Sequence, residues 1–328
     1  MATQSVAVRA RRPAELQRAQ PASSLWAAYP LATRGLYGLG AVILGVLIAG
    51  FWNFKLVDGF GREVVAANTI GNADVLAKTF ASNGVMFGFV FAAVAGLAAT
   101  FTACNCVVFA MLPGLACSTD KNASRKAALK ALGLFTIGVL AVGIVYGLYI
   151  GTLGSGVSAF NARAQRLQQA ETVFTVLGSI MIAWGVLEFG FLHRVTDHIP
   201  AGFRAWVSAP TTRATVMGLM VGSFAVGRPY PIFRDLLLYA ASSHNPIYGA
   251  LVMSIQGLGQ IALMVAIFLL VIWLFSARLT RWVLEKPNQP ALITAIALMA
   301  GGSYFVYYWG ISLVYHVGQW GFKLGLYT

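Results

Sequence analysis

Long apolar runs separated by short polar segments dominate the pattern of this chain of 328 residues. Each run is about as long as a membrane-spanning helix, which needs roughly 20 mostly apolar residues. The runs are continuous, whereas strands of a membrane barrel alternate in polarity over about 10 residues. The pattern therefore predicts seven spanning helices, at about 35–52, 86–112, 129–150, 172–191, 215–239, 248–275 and 290–315.

The composition agrees with a bilayer as the solvent. Hydrophobic residues make up 58% of the chain and charged residues only 10%, whereas a soluble domain carries about 25% charged residues. We therefore predict an all-α, polytopic membrane helical bundle. The net charge of +13 is then a signal of membrane topology rather than of nucleic-acid binding.

Most of the 23 Lys and Arg residues lie before the first run or in every second connecting segment after it. By the positive-inside rule, this predicts a cytoplasmic N-terminus and a periplasmic C-terminus in a bacterial inner membrane. The first run follows 34 residues, so we interpret it as a retained anchor and not as a cleaved signal peptide. Residues 1–30 are predicted to be a disordered basic cytoplasmic tail.

The other six runs divide into two groups of three, a first repeat at 84–191 and a second at 215–316. A cytoplasmic linker at 192–214 joins them, a helix and outer loop at 31–83 precede them, and an outer tail at 317–328 follows. Three helices per group predict that the second group runs opposite to the first. Such inverted repeats build a site near the midplane from broken helices.

Each repeat opens with a glycine-rich helix that a proline interrupts. The first reads "GLAATFTACNCVVFAMLPGL" and the second "GLMVGSFAVGRPYPIFRDLL". In the next helix of the first repeat, Gly143, Gly147 and Gly151 follow one another at four-residue spacing. Small residues at this spacing predict close helix packing, with a gating role as the alternative.

The three cysteines of the chain, Cys104, Cys106 and Cys117, all lie around the first interruption. Free cysteine is often a small buried hydrophobe, so simple packing is one interpretation. Asn105 between two cysteines and Pro113 shortly after them favour an unwound stretch that lines a cavity. There, two thiolates could bind a soft metal ion, or one thiol could attack a disulfide and the other resolve the intermediate. Cys117, near the inner boundary, is the weaker candidate.

The second interruption, "GRPYP", places Arg228 inside a predicted span, where a charge is costly and marks a functional site. Pro229 and Pro231 should break the helix on either side of Tyr230. We predict that these four residues line the cavity, with a structural role for Arg228 as the alternative. No metal-ligand spacing occurs, so we predict no metal site and no cofactor.

The two opposed, proline-interrupted groups resemble the CcdA/DsbD transmembrane electron carriers over about residues 84–316. In that family each repeat supplies one cysteine at a P-C-x-x-P-like kink. The two thiols pass reducing equivalents from cytoplasmic thioredoxin to the outside. Cys106 and Pro113 match the first kink, although Asn105 replaces a proline. Tyr230 stands at the second cysteine position, so the family's disulfide between repeats cannot form here.

The resemblance implies an inner-membrane protein that assists maturation or export of a periplasmic enzyme, by thiol–disulfide handling or by moving a small species. It would be at most an electron carrier, with Cys104 and Cys106 as working thiols. The extra N-terminal helix and the degenerate thiol pattern would suit a specialised branch such as the methylamine utilisation (MauF) proteins, whose implied client is methylamine dehydrogenase. Implied partners are a periplasmic client or a thioredoxin-like protein, and the lipid bilayer, but no nucleic acid. A transporter of soft metals or small sulfur compounds and a structural subunit of a membrane complex are the alternatives.

Overall fold

The computed structural model describes residues 25–76, 80–101, 124–154, 163–192, 198, 200, 202, 206, 209–286 and 288–327. All regular structure in these residues is helical, and six helices are long and apolar enough to cross a membrane. The predicted all-α polytopic membrane bundle is thereby confirmed, and the chain is a multi-pass membrane protein. The main helices are α1 (Leu31–Gly50), α2 (Phe80–Ala99), α3 (Ser124–Leu153), α4 (Arg163–Glu188), α5 (Pro210–Gly227), α6 (Pro231–Ala241), α7 (Pro246–Glu285) and α8 (Asn288–Phe305).

The fifth predicted span is two helices rather than one. Helix α5 ends at Gly227, and α6 begins at Pro231, within the predicted run 215–239. The prolines of the intervening segment cannot continue the backbone hydrogen-bond pattern of a helix. Neither α5 nor α6 is among the six helices of the described part of the chain that are long and apolar enough to cross a membrane.

The N-terminal helix α1 is held to the end of the first repeat by a buried arginine. Arg34 is only 5% exposed, and its Nη1 donates to the carbonyl oxygens of Phe189 at 2.8 Å and Gly190 at 3.0 Å. Its guanidinium also lies over the ring of Phe191, 5.9 Å from the centroid. These carbonyls follow the C-terminal end of α4, where a helix leaves acceptors without backbone donors. Arg34 therefore stabilises that helix end as well as its own position.

The glycines of α3 show how the second helices of the two repeats meet. A Cβ atom on any of the three four-spaced glycines would collide with or crowd the backbone of α7, so the helices touch main chain to main chain. The contacts run in reverse order along the two helices, which are therefore antiparallel. The contacting pairs are Gly143–Met253, Gly147–Gly249 and Gly151–Asn245.

Other glycine contacts give the directions of the remaining helix pairs. Residue numbers rise together along the contacts of α2 with α7 and of α5 with α3, so these helix pairs are parallel. They run in opposite order along the contact of α4 with α8, which is antiparallel. The first helix of each repeat thus packs along the second helix of the other, in the relation that an inverted repeat requires. The pairs are Gly88–Tyr248 and Gly96–Gln256 for α2–α7, Gly218–Phe135 and Gly222–Val139 for α5–α3, and Gly178–Gly302 and Gly185–Met299 for α4–α8.

The segment between α1 and α2 is mostly helical. It consists of Phe54–Gly59, the π-helix Phe60–Ala66, and the short turns Ala67–Ile70 and Ala73–Leu76. The C-terminal tail contacts the chain just before this segment: the hydroxyl of Tyr327 donates to the carbonyl oxygen of Phe51, the residue after α1, at 2.9 Å. We call residues 54–76 the outer segment.

Candidate functional site

The predicted break in the second repeat is present, and local sterics explain its geometry. Arg228 (φ −75°, ψ 113°) and Tyr230 (φ −60°, ψ 128°) both have extended backbone. Each precedes a proline, whose ring disfavours the helical conformation in the residue before it. Pro231 then starts α6, at a helix position where no backbone N–H is needed.

The break leaves the last carbonyls of α5 without their usual donors, and two replacements occur. The carbonyl oxygen of Ala225 accepts from the N–H of Arg228 at 3.4 Å. The carbonyl oxygen of Val226 accepts from the side-chain Nε2 of Gln169 on α4 at 2.8 Å. In a continuous helix, Val226 would accept from the N–H of Tyr230. Gln169 therefore supplies the donor that the break removes. The sequence signal for it is weak, since it lies in a polar stretch at the start of α4.

Tyr230 connects the break to the first repeat. Its side chain is buried, only 4% exposed. A Cβ atom built on Gly61 of the outer segment would lie 2.8 Å from the Tyr230 hydroxyl and would overlap the carbonyl oxygen of Ala98 on α2. The hydroxyl, the outer segment and the end of α2 thus meet at one point. Tyr230 therefore faces the first repeat.

Two of the charged side chains near the break, Arg228 and Asp235, are buried inside the protein. Arg228 is 7% exposed, so its guanidinium is enclosed by the bundle. On α6, Arg234 donates to Asp235 Oδ1 from Nε at 2.9 Å and from Nη2 at 2.6 Å. Asp235 is 1% exposed, and a carboxylate buried this deeply needs such a partner. The predicted cavity residues Pro229 and Pro231 are half-buried beside them.

The other half of the predicted site lies outside the described residues. This holds for Cys104, Asn105, Cys106, Pro113 and Cys117, whose roles stay predictions. What the structure describes is the approach to them: α2 ends at Ala99, and Thr100 and Phe101 form a turn. Among the described residues, no group of three or more His, Cys, Asp or Glu side chains could hold a metal ion.

A buried polar cluster of Thr100, Gln256 and Gln260 was not among the sequence-based candidates. These side chains are 3%, 1% and 1% exposed. Gln256 Nε2 donates to Gln260 Oε1 at 3.3 Å, and Gln260 Nε2 to the carbonyl oxygen of Val221 at 3.4 Å. Thr100 Oγ1 donates to the carbonyl oxygen of Gln260 at 3.0 Å. The cluster therefore joins α2, α5 and α7. Two glutamines four residues apart in an apolar span, on one helix face, are the signal that could have identified it.

Replacing Gln169 with leucine is expected to destabilise the protein by about 1 kcal/mol, because the half-buried carbonyl of Val226 loses its donor. Gln168→Leu is the matched control, since the neighbouring glutamine is exposed to the surroundings. The midpoint of thermal unfolding in detergent should fall for Gln169→Leu and stay near the wild-type value for Gln168→Leu. Equal midpoints for the two variants would contradict the capping role of Gln169.

Comparison with known proteins identifies the family. A family model described as "Cytochrome C biogenesis protein transmembrane region" matches residues 89–302, from α2 to α8, and thus more than half of the chain. No curated protein and no solved structure matches the chain. The match covers most of both repeats and the break between α5 and α6, and it leaves out α1 and the outer segment. The chain therefore belongs to the family of the cytochrome c biogenesis protein transmembrane region.

Proposed function

We propose that this protein carries reducing equivalents across the bacterial inner membrane as thiols and delivers them to a periplasmic client enzyme during its maturation. The observation that supports this most directly is the broken helix in the second repeat, whose Tyr230 lies against Gly61 beside the end of α2, the helix that precedes the cysteines in the sequence. The family match over both repeats supports the same class of chemistry, thiol–disulfide transfer. The distribution of Lys and Arg supports a cytoplasmic N-terminus and a periplasmic C-terminus.

The redox couple lies within one repeat. Tyr230 occupies the position where the family has its second thiol, so the couple uses Cys104 with Cys106, or one of them with Cys117. In the outward step, two thiols of this chain become a disulfide while a client disulfide becomes two thiols. One thiolate attacks the client disulfide, and the second thiol resolves the mixed disulfide. A cytoplasmic thioredoxin-like dithiol then reduces the new disulfide and is itself oxidised.

Residues around the break have a positioning role in this proposal. Tyr230 fills the space of the missing thiol and lies against Gly61, beside the end of α2. Arg228 adds positive charge to the interior, and positive charge favours the thiolate form of a cysteine. As the client we propose a periplasmic enzyme rich in disulfides, with the small subunit of methylamine dehydrogenase as the specific candidate.

Thiol trapping tests the carrier function. Membranes are quenched in acid and alkylated with a mass tag, with and without prior reduction. We expect a reducible pair that includes Cys104 or Cys106, and we expect it to become fully reduced when the periplasmic acceptor is deleted. Thiols that stay free in every redox background would overturn the proposal. The client is tested separately, by measuring correctly oxidised methylamine dehydrogenase small subunit with and without this protein.

A further inference from the structure

The polar cluster of Thr100, Gln256 and Gln260 contains an acceptor that the described residues do not satisfy. Gln256 Oε1 is buried, and no hydrogen-bond donor within the described part of the chain reaches it. The whole residue is only 1% exposed. A buried carbonyl oxygen without a donor costs about 1–3 kcal/mol. Retaining such an atom inside the bundle points to a ligand that donates to it.

The nearest polar hydrogens are already used elsewhere. The hydroxyl of Thr100 donates to the carbonyl oxygen of Gln260, and the amide of Gln260 donates to the carbonyl oxygen of Val221. The amide of Gln256 itself donates to Gln260 Oε1. Reorienting these groups would move the deficit to another buried acceptor, so the missing donor comes from outside the cluster.

The chemistry of the cluster selects a small neutral donor. Its side chains are two amides and a hydroxyl, with no charge to bind an anion and too few oxygens to strip a cation of its water. Thr100 Oγ1, Gln256 Oε1 and Gln260 Oε1 provide lone pairs within one group of hydrogen-bonded residues. An internal water molecule makes about 2–4 hydrogen bonds with groups of this kind.

We propose that Thr100, Gln256 and Gln260 form an internal hydration site, in which water donates to Gln256 Oε1. The site lies where α7 meets α2 and α5, the helices that open the two repeats. In this proposal the water exchanges with the aqueous phase, which would make this part of the bundle reachable by small hydrophilic species. The hydration site does not depend on the thiol chemistry proposed above, and a separate measurement tests it.

Silver-ion accessibility tests the proposal, because Ag⁺ is a small soft ion that binds thiolates and travels through water rather than hydrocarbon. Gln256→Cys is made in the full chain with its native cysteines. Membranes are treated with Ag⁺ and denatured, and the remaining free thiol at position 256 is quantified by alkylation and peptide mass spectrometry. Met253→Cys is the buried control on the same helix, and Leu263→Cys the lipid-facing control; the native residues are 0% and 38% exposed.

We expect Ag⁺ to protect position 256 at least roughly tenfold faster than position 253, since a thiol in purely apolar surroundings has little thiolate. Protection at 256 no faster than at 253 would overturn the proposal. If Gln256→Cys does not accumulate, Gln260→Cys is read in the same way. Gln256→Met gives an independent measurement. If water satisfies Gln256 Oε1, removing the amide should lower the midpoint of thermal unfolding or leave the midpoint unchanged. A raised midpoint would show that Gln256 Oε1 has no water molecule as its donor in the wild type, and would also overturn the proposal.

Discussion

Gly147→Leu is expected to abolish assembly of the bundle. A Cβ atom at this position would overlap the carbonyl oxygen of Gly249 on α7. The obstacle is backbone rather than a flexible side chain, so the two helices must separate. Overpacking of a core usually costs about 1–3 kcal/mol, and we expect more here because no rotamer change relieves the clash. The measurement is the monodisperse fraction on size-exclusion chromatography in mild detergent, together with resistance to limited proteolysis.

Gly133→Leu is the matched control, on the same helix α3. Nothing lies within 4 Å of a Cβ atom at Gly133, and the residue is exposed. This variant should elute and resist proteolysis like the wild type. If Gly147→Leu behaves like Gly133→Leu, the antiparallel contact of α3 with α7 is not the one described.

The double substitution Cys104→Ser and Cys106→Ser is expected to eliminate delivery of reducing equivalents to the client. Serine keeps the size of the side chain but cannot form a mixed disulfide. Client maturation should fall to the level of a strain without this protein, while the amount of protein in the membrane should not change. The measurement is the fraction of correctly oxidised client beside the abundance of this chain.

Cys117→Ser is the comparison for that experiment. If the couple is Cys104 with Cys106, this variant should retain client maturation. If it is as inactive as the double variant, Cys117 belongs to the couple. Wild-type maturation in the double variant would contradict a thiol function and would leave the cysteines as packing residues.

The break in the second repeat shows how far sequence reasoning reaches. Pro229 and Pro231 act on the residues next to them, so the interruption between Gly227 and Pro231 could be predicted from the sequence alone. The compensating donor could not. Gln169 is far from Val226 in the sequence, and only the packing of α4 against α5 brings its amide to the freed carbonyl.

The two glutamines of α7 mark the same limit. Their spacing places them on one face of a helix, but the sequence does not show what that face meets. In the structure the face meets the end of α2 and the backbone of α5. Because of that contact, the side-chain oxygen of Gln256, Oε1, has no donor among the described residues.

The sequence by itself determined the helical class, most of the apolar spans and the broken helix, because each depends on neighbouring residues: the length of an apolar run, the scarcity of charges within it, and the ring of a proline. The four-residue glycine spacing also indicated a close contact. Only the tertiary structure decided which helices make such contacts and in which direction. It also decided that Tyr230 lies against Gly61 beside the end of α2, and that Arg34 stabilises the end of α4. These outcomes depend on which donor lies beside which acceptor in space, and residues far apart in the sequence supply them.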